Sequence, residues 1–409
     1  MNTYNIANLK QTLNSNSQKL VLYGAGDLGE LTKFALDKLE IKIDFYCDSN
    51  KEKIGRDYFG IKIISPNELL KLDKKVNIFI TNNYISQIKN ELLKANFQNI
   101  FDCVTLLENT DFPINKVYKT LPGPKIERRI AFYKNMCLKE NYLRNRRLVL
   151  KSLDVQITER CSLKCANCSN LMQYYTSPQN SEIDITFKSI ERFMECIDEI
   201  YEFRILGGDP FMNKEMYKVV NKLKEYYKVK KIIVYTNGRI IPKGENLNCL
   251  KDPRVIVDCT NYGEISNKHD EIVKVLEENG VLYSTYLTTE WQDCGRVLPF
   301  QERTEEEKKY LFNNCCNSDL LSLLHGKLYR CPFSANGVNI KAFPDDKSDV
   351  VDLIDENISL IELKEMIKYL TFDKKYLTAC SYCNGRDYRT EPITAAVQTK
   401  KPLEYKKIV

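Results

Sequence analysis

Residues 153–168 read LDVQITERCSLKCANC, and this stretch decides how the rest of the chain is interpreted. An alternation typical of a buried strand ends at Thr158, and Cys161, Cys165 and Cys168 follow it within one short loop. Cysteines spaced four and three residues apart can offer one thiolate to each of three irons in a cubic cluster. A structural zinc site is normally closed by four ligands, yet no further cysteine or histidine occurs in the next two dozen residues. The spacing therefore predicts a four-iron cluster with one open iron, and the alternative is three structural thiols.

Two later segments complete a pattern with this loop: Gly207-Gly208-Asp209-Pro210 and Tyr235-Thr236-Asn237-Gly238. Together they resemble the signature of radical S-adenosylmethionine (SAM) enzymes, with Asp209 where the family usually has Glu. The resemblance implies a 4Fe–4S cluster that chelates SAM, a Gly207–Pro210 backbone that contacts the SAM amino group, and Thr236 and Asn237 near the ribose. The residue before the last cysteine is commonly aromatic and lies near adenine, whereas this chain has Asn167. A flavodoxin or ferredoxin-type electron donor is the implied partner.

The composition fits a globular protein of two or three domains. The chain has 409 residues, 43% of them hydrophobic, and no apolar run approaches the roughly 18 residues of a membrane span. The N-terminus lacks signal-peptide features, and fifteen cysteines without such a signal predict a reducing, cytoplasmic location. The net charge of +6 is concentrated between residues 114 and 151, where eleven Lys or Arg occur with two Glu. This stretch predicts a solvated linker helix or a collar for phosphates and acidic substrates; nucleic acid is disfavoured, since no basic motif interleaved with aromatics accompanies it.

The N-terminal segment is predicted to form a parallel sheet with helices between its strands. The run Leu20–Tyr23 leads into Gly24-Ala25-Gly26-Asp27-Leu28-Gly29, where glycines at a strand-to-helix turn let the backbone approach a pyrophosphate. Asp48 follows the second strand, in the place of a ribose-binding acid. Further strands are predicted at 41–46, 61–64 and 76–80, with helices at 67–72 and 85–95. Residues 1–110 are therefore predicted to be a Rossmann-like domain that binds a nucleotide or nucleotide sugar, or one that has lost its ligand and serves as a docking platform.

Residues 18–100 also resemble the N-terminal domains of bacterial sugar acyltransferases and of some sugar-modifying methyltransferases. The shared features are the glycine turn, Asp48-Ser49-Asn50 after the second strand and the Lys53-Ile54-Gly55 turn. This resemblance implies that the domain meets a nucleotide-linked sugar rather than a redox dinucleotide.

The remainder is divided by Leu121-Pro122-Gly123-Pro124, which breaks the chain. Residues 111–150 are predicted as a basic linker helix and 301–409 as a small hairpin and helix domain. For residues 151–300, the repeated βα pattern and the resemblance to radical SAM enzymes together imply a partial (β/α)6 TIM-like barrel. Barrel strands are predicted at 153–158, 203–206, 231–235, 255–259 and 281–287, with helices at 187–201, 214–227 and 268–279 and no obvious sixth strand. Because the cysteine loop, the Gly207–Pro210 turn and Asn237 each follow a strand, they are expected at the carboxyl end of the barrel. The predicted fold class is α/β throughout.

A second group of cysteines lies beyond the predicted barrel: Cys315, Cys316, Cys331, Cys380 and Cys383. Two apolar runs flank His325-Gly326 as a predicted hairpin, and Cys331 follows it. This order resembles Twitch, the reduced form of the SPASM extension. The resemblance implies an auxiliary 4Fe–4S cluster held by Cys331, Cys380 and Cys383, with Cys315 or Cys316 as the fourth ligand. From the spacing alone, a zinc site closed by four thiolates is the alternative.

Four residues are candidates for the substrate chemistry. Cys259 ends the fourth barrel strand, and Cys294 follows the single tryptophan of the chain. A thiol near the substrate can return a hydrogen atom to a carbon radical and so give epimerisation instead of oxidation; structural roles are the alternative for both. Since the chain has two histidines, proton transfer falls to carboxylates, lysines or tyrosines, with Tyr262 and Asp293 as candidates. The remaining cysteines, at 47, 103, 137, 196 and 249, are predicted to be small buried hydrophobes.

The leading functional hypothesis is a radical SAM enzyme that removes a hydrogen atom from a nucleotide-linked sugar or related phosphorylated small molecule. Epimerisation, dehydrogenation and dehydration are the possible outcomes. A radical SAM peptide maturase that forms crosslinks or epimers is the first alternative, although the chain shows no segment for a winged-helix peptide-recognition domain. A non-enzymatic iron–sulfur electron-transfer protein is the alternative from another class. A dehydrogenase centred on the N-terminal segment is disfavoured because that segment is short for a separate catalytic half.

Overall fold

The computed structural model describes residues 4–14, 19–112, 129–130, 133, 148–315, 317, 320–387 and 390–408. The chain divides into two compact units, Met1–Asn141 and Tyr142–Val409. Each unit is built on its own sheet and has its own hydrophobic core. Most of the predicted basic linker helix lies outside the described residues. No helix within the described ranges is long and apolar enough to span a membrane.

The N-terminal unit is a six-stranded sheet with helices between its strands. The strands are β1 Leu20–Tyr23, β2 Phe45–Cys47, β3 Asp57–Tyr58, β4 Ile61–Ile64, β5 Asn77–Ile80 and β6 Asn99–Asp102. The helices are α1 Leu9–Asn14, α2 Asp27–Lys38, α3 Pro66–Leu69, α4 Ile85–Lys94 and α5 Val104–Glu108. The sheet order is β3-β4-β2-β1-β5-β6, and every pair except β3–β4 is parallel. The five parallel strands therefore follow the order 3-2-1-4-5 found in doubly wound sheets.

The predicted α/β character of this unit is confirmed, with three local differences. The second strand begins at Phe45 rather than at residue 41, because the chain leaves α2 through Glu40, whose φ is +55°. The predicted helix at 67–72 ends at Leu69. The strand β6 was not predicted, since only two of its four residues are apolar. The parallel pairing with β5 identifies residues 99–102 as a strand, which their apolar pattern alone does not.

The C-terminal unit is built on an eight-stranded sheet. Its strands are β7 Val149–Thr158, β8 Glu199–Gly207, β9 Val229–Thr236, β10 Val255–Asn261, β11 Tyr283–Leu287, β13 Leu321–Leu324, β14 Lys327–Tyr329 and β15 Val350–Asp352. A separate pair joins β12 Glu290–Gln292 to β16 Pro392–Thr394. The helices are α6 Ile183–Cys196, α7 Met216–Lys224, α8 Glu245–Asn248, α9 His269–Glu278, α10 Glu305–Asn314, α11 Pro332–Asn339 and α12 Leu360–Lys368.

The sheet order, β11-β10-β9-β8-β7-β13-β14-β15, shows where the sixth parallel strand lies. The strands β7 to β11 form consecutive parallel pairs, and β13 pairs in parallel with β7 on its other side. The first arm of the predicted hairpin is therefore also the strand that the sequence did not reveal. The hairpin turn itself is as expected, because His325 and Gly326 both have positive φ, at +48° and +85°, as a type I′ turn requires. Among the described strands, β11 and β15 are the two edges, so the sheet is open.

Period-two alternation separates the two faces of this sheet. The residues Leu153, Val155 and Ile157 of β7 belong to the main hydrophobic core, together with apolar side chains of α6, α7, α9 and α12. The intervening residues point to the opposite face, and those of β7 are polar. The helix predicted to reach residue 201 ends at Cys196, because residues 199–201 already belong to β8 and pair with β7. The polar face of the sheet is thus available for a site at the carboxyl ends of its strands.

Candidate active site

The three-cysteine loop begins three residues after the end of β7, and its sulfur atoms accept hydrogen bonds. Cys161 Sγ accepts from Leu163 N and from Asn237 Nδ2, both at 3.5 Å, and Cys165 Sγ accepts from Gln398 Nε2 at 3.2 Å. Burial raises the pKa of each thiol in the loop, that of Cys165 to about 12. Metal binding requires thiolates, and N–H donors stabilise such charged sulfurs. These thiols would therefore lose their protons when they bind a positively charged metal group, which stabilises the thiolate form.

The loop offers thiolates, which both a single zinc ion and an iron–sulfur cluster can bind. A single zinc ion in a structural site is normally closed by four ligands at about 2.0–2.3 Å from one centre. A four-iron cube instead takes each thiolate on a different iron. Three cysteines on one loop would therefore leave one iron of such a cube without a protein ligand.

The Gly207–Pro210 turn lies directly against the start of the cysteine loop. Gly208 N donates to Thr158 O at 2.9 Å, and Asp209 N donates to Arg160 O at 2.8 Å. A Cβ atom on Gly207 would lie 2.0 Å from Thr158 O, and one on Gly208 would lie 2.0 Å from Arg160 O. Both positions therefore require glycine, because any side chain would collide with the backbone that leads into the loop.

Asp209 joins this turn to the end of β9. Its carboxylate is fully buried, and Oδ2 accepts from Thr236 Oγ1 at 2.9 Å and from Asn237 N at 3.1 Å. Burial raises the pKa of Asp209, while these hydrogen bonds oppose the rise. The Asn237 side chain donates to Ser162 Oγ at 3.1 Å and to Cys161 Sγ. Three sequence-predicted segments thus meet at one place, and the implied ribose contacts of Thr236 and Asn237 stay a prediction.

The inner face of the sheet carries buried charges that the sequence analysis did not select. Arg204 Nε donates to Asp154 Oδ1 at 2.6 Å, and Ser284 Oγ donates to Asp258 Oδ2 at 3.3 Å. Glu202 is fully buried on the same face. Burial raises the pKa of Asp154, and the adjacent Arg204 opposes that rise. The alternation in residues 151–158, KSLDVQIT, was the signal that could have found this face.

A second cavity, largely apolar, is lined by five cysteines: Cys294, Cys315, Cys331, Cys380 and Cys383. Cys331 is the N-cap of α11, where its sulfur accepts from Ser334 N at 3.2 Å, and Cys383 Sγ accepts from Gly385 N at 3.2 Å. Arg303 donates to the carbonyl oxygens of Cys380 and Cys383. Burial raises the pKa of the Cys331, Cys380 and Cys383 thiols, that of Cys380 to about 12. Cys316, the other candidate for fourth ligand, lies outside the described residues.

The two cysteine groups are joined by neighbouring backbone. Ser169, directly after the last cysteine of the loop, lines the second cavity. Gly295, directly after Cys294, packs on Asn167: a Cβ atom at 295 would lie 2.1 Å from Asn167 O. Arg296 Nε donates to Asn167 Oδ1 at 2.6 Å. Asn167 therefore contacts the segment that carries Cys294, and its implied contact with adenine stays a prediction.

Comparisons with known proteins agree with this geometry. Residues 153–275 match the family model described as 4Fe-4S single cluster domain, and residues 16–100 match the model C2185-like, N-terminal. The GTP 3′,8-cyclase of Staphylococcus epidermidis is 26% identical over 140 residues, which cover 32% of this chain and 41% of that protein. The GTP 3′,8-cyclase of Aquifex aeolicus is 25% identical over 170 residues, covering 36% of this chain and 53% of that protein. The chain thus spans about half or less of the length of these relatives.

The cluster-model match coincides with the cysteine loop, the Gly207–Pro210 turn and Asn237, which the fold brings into contact. The radical SAM superfamily is supported by this match and by the GTP 3′,8-cyclase relatives. The matched model also supports a 4Fe–4S cluster as a cofactor. Among solved structures, BtrN in complex with AdoMet and 2-DOIA aligns with a TM-score of 0.39 at 15% identity, over 63% of this chain and 99% of that one. SuiB of Streptococcus suis aligns with a TM-score of 0.32 at 11% identity, over 72% and 77%.

In the radical SAM unit, the predicted substrate residues lie in different surroundings. Cys259 is fully buried in the hydrophobic core with Val255 and Val257, on the face opposite Asp258, so its position gives no support to a role at the substrate. Tyr262 packs edge-on against the single tryptophan at 5.5 Å, beside the cysteine loop. Burial raises the pKa of Tyr262. Cys294 lines the second cavity, and Asp293 next to it is half-buried.

In the N-terminal unit, the glycine turn and Asp48 contact each other. Asp48 Oδ2 accepts from Ala25 N at 3.0 Å, so this carboxylate orders the turn. A Cβ atom on Gly24 would lie 2.3 Å from Thr81 O, and one on Gly29 would lie 2.2 Å from Gly24 O. Gly26, in contrast, faces open space, with no atom of the described residues within 4 Å of an added Cβ. Gly24 and Gly29 are therefore needed for the fold, whereas nothing in the fold requires Gly26.

Proposed function

We propose that this radical SAM protein removes a hydrogen atom from a nucleotide-linked sugar or a related phosphorylated small molecule. The observation that carries the proposal is the polar face of the sheet, where Asp154, Glu202 and Asp258 are buried and Arg204 is half-buried, on the side that the cysteine loop borders. A substrate rich in hydroxyl groups can exchange hydrogen bonds with such a lining. The relatives named GTP 3′,8-cyclase act, by that name, on a phosphorylated nucleotide. A substrate that carries both hydroxyl and phosphate groups would fit both the polar face of the sheet and the name of these relatives.

In this proposal, Cys161, Cys165 and Cys168 would hold the 4Fe–4S cluster, and the Gly207–Pro210 backbone would bind the SAM amino group. When bound, the cluster and SAM supply the 5′-deoxyadenosyl radical that removes the substrate hydrogen. The chain supplies positioning: Asp209 fixes the turn against β9, and Asn237 fixes the loop. A flavodoxin or ferredoxin-type protein donates the electron.

Cys315, Cys331, Cys380 and Cys383 are proposed as ligands of a second 4Fe–4S cluster. They line one largely apolar cavity. Backbone N–H groups donate to Cys331 and Cys383, as expected for sulfurs that carry negative charge.

Cys294 is proposed as the hydrogen-atom donor to the substrate radical, which would make the reaction an epimerisation. Its segment packs on Asn167 of the cysteine loop, and Cys294 itself lines the second cavity. In this step the S–H bond of Cys294 breaks and a C–H bond forms. The sulfur radical left behind takes one electron from the ferredoxin-type donor and one proton, which restores the thiol.

The test is 5′-deoxyadenosine formation by anaerobically reconstituted, reduced protein, with nucleotide sugars, the corresponding free sugars and peptides offered in turn. We expect release to rise with one nucleotide sugar and not with its free sugar. Cys165→Ala should abolish release, whereas Cys249→Ala, which removes a buried cysteine outside both groups, should not. If only a peptide increases 5′-deoxyadenosine release, the substrate is a peptide and not a nucleotide sugar. If a protein with full clusters releases none, the enzymatic function is refuted.

A further inference from the structure

The C-terminal segment pairs with the cysteine loop. Ala166 N donates to Val397 O at 2.7 Å, and Thr399 N donates to Lys164 O at 2.8 Å. These bonds flank an antiparallel bridge between Cys165 and Gln398. The residue opposite the middle cysteine of the loop is thus fixed by backbone hydrogen bonds on both sides.

The Gln398 amide has one orientation that satisfies its neighbours. Its Oε1 accepts from Lys164 N at 2.9 Å, and a backbone N–H can only donate. Its Nε2 must then face the other side, where it donates to Cys165 Sγ at 3.2 Å and to Ala396 O at 2.6 Å. The N–H aimed at the sulfur follows from the surrounding donors and acceptors.

The sulfur end of this hydrogen bond lies in a small apolar cluster, whereas Gln398 itself is exposed. Leu163, Cys165 and Ala396 are all buried there, with Tyr262 packed beside them. A hydrogen bond to a charged atom is stronger where water is excluded, because the effective dielectric constant is lower. Because Cys165 is buried, the N–H group of Gln398 is aimed at a sulfur that is largely shielded from water on its other sides.

We infer that Gln398 is a positioning residue that raises the reduction potential of the SAM-binding cluster through its hydrogen bond to Cys165. Hydrogen bonds to cluster sulfurs and exposure to solvent are among the factors that set such potentials. Reduction adds one negative charge to the cluster, so an N–H donor at a ligating sulfur stabilises the reduced form more than the oxidised form. This inference rests on the proposed assignment of the cluster to Cys161, Cys165 and Cys168.

The decisive variant is Gln398→Glu. A glutamate can still accept from Lys164 N, so the pairing of the segment is kept, but its carboxylate cannot donate to the sulfur of Cys165 and adds a negative charge beside it. The control is Thr399→Val on the same segment, which removes the hydrogen bond from Thr399 Oγ1 to Lys164 O but keeps the backbone pairing and contacts no sulfur. Gln398→Met is the second variant, because it removes the donor without adding charge.

The measurement is an EPR-monitored redox titration of reconstituted protein, with iron content determined on the same samples; the cluster is recognised by the change of its signal on adding SAM. For Gln398→Glu we expect the equilibrium between oxidised and reduced cluster to shift at least about tenfold toward the oxidised form, a fall of about 59 mV for a one-electron couple. Gln398→Met should give a smaller fall, and Thr399→Val none.

An unchanged midpoint in Gln398→Glu with full iron content overturns the inference. If Gln398→Glu does not retain iron, Gln398→Met decides it by the same criterion. An equal fall in Thr399→Val also overturns it, because the effect would then belong to the segment and not to the hydrogen bond. Failure of the proposed cluster site is recognised separately: the iron content of Cys165→Ala would equal that of the wild type.

Discussion

Replacing Gly208 by Ala should displace the start of the cysteine loop, because the added methyl group has no room. Its Cβ atom would lie 2.0 Å from Arg160 O and 2.8 Å from Cys161 N, whereas Cβ atoms essentially never approach other atoms within 3.0 Å. The colliding atoms are backbone, so no side chain can rotate away, and the chain must move by about 1 Å. A misplacement of that size costs about 100-fold in rate when it disturbs reacting groups. Overpacking of this kind also costs about 1–3 kcal/mol of stability.

The assay is the rate of 5′-deoxyadenosine formation from SAM by reduced, reconstituted protein, together with iron content and thermal unfolding. We expect Gly208→Ala to bind iron, since its three cysteines remain, yet to release 5′-deoxyadenosine about 100-fold more slowly than the wild type. Gly26→Ala is the control in assays with SAM alone, because the same methyl group meets open space there and the proposed nucleotide site is not used. A Gly208→Ala protein that cleaves SAM at the wild-type rate would show that the Gly207–Pro210 turn does not hold the loop in its working position.

Three further predictions concern other parts of the chain. Gly24→Ala should lower the unfolding temperature of the N-terminal unit, since the φ of Gly24 is +131° and an added Cβ would lie 2.3 Å from a carbonyl oxygen. Gly26→Ala should leave that temperature unchanged but weaken nucleotide binding, measured by calorimetry. Binding equal to that of the wild type would mean that no phosphate lies at this turn. Arg204→Met should destabilise the C-terminal unit by about 3–5 kcal/mol, because it leaves Asp154 buried without its partner; adding Asp154→Asn should recover part of that loss in denaturant unfolding. Cys294→Ala should keep its iron and still release 5′-deoxyadenosine while product formation stops, and unchanged product formation would remove its role as hydrogen donor.

The positions at the strand ends were predictable because each follows from local pattern. The cysteine loop after β7, the turn after β8 and Asn237 after β9 each come after a run of apolar or alternating residues, and parallel strands bring their carboxyl ends to one edge. The type I′ turn at His325-Gly326 was equally local. Strand boundaries were less exact: β8 starts at Glu199, inside a stretch whose apolar residues also fit a helix.

What the sequence could not predict depends on which strands are neighbours. The pairing of β13 with β7 joins segments separated by most of the unit, and no periodicity encodes it. The ion pair between Asp154 and Arg204 likewise requires the register of β7 and β8, since the alternation in either strand alone identifies a polar face but not a partner. Placing Cys294 in the second cavity requires a contact between its neighbour Gly295 and the backbone of Asn167. Such facts arise from tertiary packing, which local propensity does not contain.

The cysteine loop shows why these long-range contacts matter for the chemistry. The loop includes no helix or strand of its own, so the spacing of its cysteines alone cannot fix where the sulfurs lie. Their donors come from distant parts of the chain: Asn237 lies 76 residues from Cys161, and Gln398 lies 233 residues from Cys165. Eight residues are therefore enough to predict the ligands. The positions of their sulfurs, and the negative charge that these sulfurs can carry, depend on segments from elsewhere in the C-terminal unit. The properties of the cluster should accordingly respond to substitutions that no inspection of the motif would select.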